Sequence, residues 1–107
     1  MGNELGVLQE IWDVWDDNHD AIREQTFEHF RQLYEEQLRE LVEHRSRMER
    51  DKMINEAVDF FSVSMNFLRW LGLGPDEIVE AIHNRVENRY AGKTTAIMTR
   101  DSKRFGV

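Results

Sequence analysis

Apolar positions along the chain fall into four stretches with helical spacing. Leu5, Leu8, Trp12 and Trp15 form one stripe and predict a first helix over about 3–17. Asn18, His19 and Asp20 read as a polar break, after which Ile22, Phe27, Phe30, Leu33, Tyr34, Leu38 and Leu41 share the broad face of a longer second helix. The stretch 44–52 is almost wholly charged, so its apolar face vanishes, and it reads as a solvated extension or a connection. Over 53–71 the pattern changes: twelve of nineteen residues are apolar and lie nearly all round the helix, as they do when a helix is covered on most sides. Gly72 and Gly74 stop this third helix, and Pro75-Asp76-Glu77 starts a fourth that runs to about Tyr90, with Ile78, Val79, Ile82 and Val86 facing inward.

No run alternates apolar and polar residues as a strand does, so the fold class is all-α. With 107 residues there is material for one core. We divide the chain into a helical domain over 1–92 and a short basic tail over 93–107. The third helix is too apolar for a monomer of this size, which predicts a four-helix bundle whose core is completed by dimerisation, as a homodimer or a homotetramer of paired dimers.

A formal charge of −7 argues against a nucleic-acid partner, because phosphate backbones demand clustered Lys and Arg. There is no cysteine, which removes disulfides and thiolate metal sites and fits a cytoplasmic location. No stretch is long and apolar enough to span a membrane. The four histidines, His19, His29, His44 and His83, show no metal-ligand spacing. Gly92-Lys93-Thr94 resembles the end of a phosphate loop, but Glu87 stands at its first glycine position and no strand precedes it.

The candidate chemistry lies in the acids. Glu56 and Asp59 stand three residues apart on one face of the most apolar helix, with Asn66 close to the same stripe. A carboxylate buried without a partner costs several kcal/mol, so the pair needs a cation, or else a solvent edge or a partner such as Arg45 or Arg47. Glu36 and Glu40, four residues apart, share a face of the second helix. An antiparallel hairpin centred near Met48 would pair Glu40 with Glu56 and Glu36 with Asp59. Four such carboxylates make an all-oxygen site suited to Mg²⁺ or Mn²⁺.

These residues resemble the MazG-like group of all-α nucleoside triphosphate pyrophosphatases. That group's pattern is Glu-Glu-x-x-Glu, a spacer, then Glu-x-x-Asp. Here it is matched by Glu36-Gln37-Leu38-Arg39-Glu40, fifteen residues, and Glu56-Ala57-Val58-Asp59. The likeness extends through Leu71-Gly72-Leu73 and Pro75-Asp76-Glu77-Ile78 to Asn88-Arg89-Tyr90, so it covers roughly residues 30 to 92. The departure is Gln37, which offers a carbonyl oxygen where the family has its second glutamate.

The resemblance implies Mg²⁺- or Mn²⁺-dependent hydrolysis of a nucleoside triphosphate between the α and β phosphates, to the monophosphate and pyrophosphate. Glu36, Gln37, Glu40, Glu56 and Asp59 would hold the metal, with one glutamate as general base. Arg85, Asn88, Arg89 and Lys93 would hold phosphates. Arg85 and Arg89 also have acids within reach, Glu80 and Glu87. The competing expectation is a non-catalytic helical dimer that serves as a protein-interaction or nucleotide-binding module.

Overall fold

The computed structural model describes residues 5–107, and every regular element in it is helical. Helix α1 spans Leu8–Val14, a 3₁₀ turn follows at Asp16–Asn18, and α2 spans His19–Arg23. Two long helices, α3 (Phe27–Ser46) and α4 (Arg50–Trp70), make an antiparallel hairpin. Helix α5 (Pro75–Arg85) continues as a π-helical stretch, Val86–Tyr90, and α6 spans Thr94–Phe105. Among the described residues no helix is long and apolar enough to cross a membrane.

Six α-helices therefore replace the four expected. The first is shorter than 3–17, and the part of that expectation on residues 3 and 4 lies outside the described residues. The polar break at Asn18-His19-Asp20 is itself helical. The chain turns later, at residues 24–26, because Thr26 takes extended dihedrals and its hydroxyl accepts the His29 N–H at 3.2 Å, capping α3. The tail over 93–107, expected only as basic, forms α6, closed by Gly106 at φ 69°.

The charged stretch 44–52 holds the hairpin's reversal. Helix α3 ends as the Glu49 N–H bonds back to the His44 carbonyl at 2.9 Å, with Met48 in the left-handed region at φ 57°. A residue other than glycine there costs on the order of 1 kcal/mol, so the packing of the two helices holds the turn. At the far end of α4 the Leu73 N–H reaches the Leu68 carbonyl at 3.1 Å around Gly72 at φ 96°. Pro75 opens α5, and the Glu77 carboxylate accepts the Gly74 N–H at 3.0 Å.

Helix α4 is the centre of the molecule. On one side Leu5, Trp12, Met65 and Ile78 form a buried core, with Leu8, Ile11, Leu68, Leu73 and Val79 packed on it. Ile82 and Val86, expected inward, are exposed instead. On the other side Phe27, Phe30, Tyr34, Phe60, Phe67 and Trp70 stack between α3 and α4 with ring centroids 5.4 to 6.5 Å apart. The Trp70 indole donates to the Gln25 carbonyl at 2.6 Å, and Tyr34 and Ser64 hydroxyls bond at 2.7 Å.

Arg69 crosses from α4 into the first core and is only 1% exposed. It donates to the Trp12 carbonyl at 2.6 Å, to the Asp16 carboxylate at 2.8 Å and to His19 Nδ1 at 2.9 Å, and its guanidinium lies 3.6 Å over the Trp12 ring. A neutral His19 ring is the acceptor in that contact.

Candidate functional site

The hairpin register brings α3 residues Gln37, Glu40 and His44, on successive turns, against Glu56 and Asp59 of α4. Glu40 and Glu56 share a hydrogen bond, and that contact, with burial and Glu56's negative charge, pushes the Glu40 carboxyl above its ordinary value. Two carboxylates in contact repel unless a proton or a cation sits between them. Glu56 is 9% exposed, the one buried acid of α4.

Gln37 supplies some compensation. Its side-chain amide donates to Glu56 Oε2 at 2.5 Å and to the Glu56 carbonyl at 3.2 Å, and stands 3.5 Å from Asp59 Oδ2. A partial positive charge thus lies between the two acids of Glu-x-x-Asp. Rotating this amide by half a turn would replace its N–H₂ with a carbonyl oxygen facing the same point.

Glu36 is placed differently. It pairs with Arg39 one turn along its own helix, a contact that holds its carboxyl below the ordinary value, and it also touches Glu40. The expected pairing of Glu36 with Asp59 is not made. Glu36, Glu40 and Glu56 form a row, and Asp59 joins it through Gln37. Among the described residues no three acidic or histidine side chains gather round one point as metal ligands do. The Glu36–Arg39 pair is exposed, and such pairs contribute about 0–1 kcal/mol, so little holds Glu36 out of the cleft.

The arginine partners considered for the acids are absent: among the described residues neither Glu56 nor Asp59 pairs with any Arg or Lys. A histidine lies there instead. His44 points Nε2 at Glu56 Oε1, 3.9 Å away, while Glu49 holds its Nδ1 at 3.2 Å. Lys52 and then His44 keep the Glu49 carboxyl below its ordinary value. Looking for spacing among histidines alone misses this residue. The signal was Glu40 and His44, four apart on one helix face.

The cations expected at phosphates sit elsewhere in the chain. Arg85 ends α5 with its guanidinium 5.9 Å from the Tyr90 ring, Asn88 and Arg89 lie in the π-helical stretch, and Lys93 donates to the Asn88 carbonyl at 3.2 Å. No hydrogen bond or ion pair among the described residues joins them to the carboxylate row, and none of them pairs with Glu80 or Glu87. Asn66 is buried with its Oδ1 unpartnered, on the side of α4 that also carries Arg69.

Protein-family models, curated proteins and solved structures were all compared with the chain, and none matches.

Beside the row an open groove of about 550 Å³ runs along α3, lined by His29, Gln32, Leu33, Glu35, Glu36 and Arg39. The site thus combines a buried acid, a second acid held protonated by it, a reorientable amide and an adjoining groove. A divalent cation fits this donor set: it would replace the shared proton and the amide N–H₂ as the source of positive charge.

Proposed function

We propose that the chain is a metal-dependent nucleoside triphosphate pyrophosphohydrolase of the MazG-like all-α type, acting in the cytoplasm on (d)NTPs to give the monophosphate and pyrophosphate. The observation that carries this reading is the Glu40–Glu56 contact, two acids pressed together across a helix pair with no Arg or Lys to neutralise them. Natural folds rarely keep such a pair without using it.

Glu40, Glu56 and Asp59 would hold Mg²⁺ or Mn²⁺, joined by Glu36 once it leaves Arg39 and by the Gln37 carbonyl once that amide turns over. The ion, when bound, supplies charge neutralisation at the phosphates and a more acidic water. A glutamate of the row left free of the ion accepts the proton as water oxygen bonds to the α-phosphorus and the α–β bridging oxygen leaves with pyrophosphate. Arg85, Asn88, Arg89 and Lys93 hold the phosphates in this reading, and a second copy of the chain completes the bundle, as a dimer or a pair of dimers.

The test is pyrophosphate release from a panel of ribo- and deoxyribonucleoside triphosphates, with and without Mg²⁺. Glu56→Gln and Asp59→Asn are expected each to abolish release while circular dichroism stays unchanged, since both residues act on the ion rather than on the core. Equal turnover by both variants sinks the assignment.

Gln37 favours a second reading, a module that binds nucleotide without cleaving it, because one acid of the family pattern is replaced by a group that now donates to Glu56. Mg²⁺-dependent nucleotide binding without pyrophosphate release would select this reading.

A further inference from the structure

The hairpin of α3 and α4 has two flanks of opposite chemistry. At roughly 100° per residue, Leu38 and Val42 lie on the flank of α3 away from Glu36 and Glu40, and Ile54, Val58 and Phe61 lie on the flank of α4 away from Asn55 and Asp59. The helices run antiparallel, so these two flanks form one surface. In the register that joins Glu40 to Glu56 and Tyr34 to Ser64, Leu38 comes level with Val58, and Val42 with Ile54. All five side chains are about half exposed, from 45% at Ile54 to 60% at Val42.

We infer that two copies of the chain meet through this face, Leu38 and Val42 of α3 with Ile54, Val58 and Phe61 of α4, back to back with the carboxylate row. The inference rests on the reading that a second copy completes the bundle, and it adds where that copy sits.

Three observations select a second copy as the occupant. The chain exposes 8071 Å², whereas a compact monomer of its mass exposes about 6,300 Å², an excess of about 1,800 Å². Its radius of gyration is 16.0 Å where a compact chain of this length has about 13 Å. A stable dimer covers about 800 Å² on each partner, well within that excess.

The second observation is shape. The face is two parallel helical rows, so the same face on another copy, turned by a two-fold axis, lays helix rows on helix rows and makes a four-helix bundle. The third is charge. Arg31, on the same flank of α3, is already paired within its helix to Glu28 and Glu35, so little uncompensated charge needs desolvating when the face is covered. The carboxylate rows of both copies then face outward and stay open to nucleotide and metal.

Sedimentation velocity on the full chain, without nucleotide or metal, tests the face apart from any activity. The wild type is expected at twice the 12.8-kDa chain mass, and Val58→Glu with Phe61→Glu at the monomer mass with helical content retained. Should that double variant lose its helical circular dichroism, Val42→Asp, on the other row, decides by the same shift. Met98→Glu with Phe105→Glu, two exposed positions of α6, is expected to leave the dimer intact. A wild type that is monomeric at 100 μM overturns the second copy itself. A dimer that survives both hairpin variants, or one lost only on changing α6, overturns the face. Neither result bears on pyrophosphate release, which stands or falls with Glu56 and Asp59.

Discussion

Helix α4 carries two charged groups that its burial should penalise, and the fold treats them in opposite ways. Arg69 is almost fully covered, yet it gives hydrogen bonds to Trp12, Asp16 and His19 and lies flat on an indole. Glu56, some three turns earlier, meets another glutamate, a histidine at long range and the amide of Gln37. One charge is satisfied by the chain itself and joins α1 and α2 to the core. The other is left short of positive charge at the edge of an open groove. That contrast separates a structural charge from one available for chemistry, because a group already matched by its own protein has nothing left to offer a ligand.

Removing the matched charge should be the costlier change for the fold. Arg69→Ala deletes the bonds to three partners and opens a cavity beside Trp12, and is expected to cost about 3 kcal/mol of stability. Urea unfolding followed by tryptophan fluorescence measures it, and Glu56→Gln under the same conditions should cost nothing or stabilise. Equal losses in the two variants would erase the distinction.

A smaller effect sharpens the other side. Gln37→Glu restores the missing acid of the Glu-Glu-x-x-Glu pattern, and Mg²⁺ or Mn²⁺ affinity by calorimetry should rise about tenfold, or ~1.4 kcal/mol. The metal-free variant should also be less stable than the wild type, since an amide donor gives way to a third negative charge beside Glu56 and Asp59.

The smallest expected effect is in pH. The Glu40 carboxyl is held above its ordinary value of 4.5 by Glu56, so its contribution to stability is present below that value and fades as pH rises through the higher, folded one. Glu28, Glu36 and Glu49 are held low and act in the opposite sense, losing their contribution on acidification. The difference in melting temperature between wild type and Glu40→Gln isolates the first term. Without metal it should turn in favour of the variant as pH increases from 4 to 7, and Mg²⁺ should reverse that trend.

Much of the hairpin was legible in the sequence because its causes are local. The apolar pattern over 53–71, the stop at Gly72 and the start at Pro75 each act within one or two turns, and α4 and α5 follow them. The reversal near Met48 was legible from where the acids would have to meet. Other features depend on competition between neighbours at different distances in the chain. Glu36 could reach across to Asp59 or along to Arg39, and spacing alone does not rank the two. His44 is drawn to Glu56 by the same register that brings Glu40 there, yet in a list of histidines it is one of four unremarkable residues. The missed helices, α2 and α6, are short or lack a buried face, so hydrophobic periodicity carried little signal for them.

The π-helical stretch has a consequence of its own. The Ala91 N–H bonds to the carbonyl five residues back, at 2.7 Å, so Val86–Tyr90 holds a wider coil than the helix before it, as if a single residue had been inserted. Such an insertion shifts the phase of everything that follows: deleting one residue would turn α6 by about a quarter of a revolution about its axis and point Lys93, Arg100 and Lys103 in new directions. The orientation of the basic end of the molecule is thus written in the length of five residues rather than in their identity.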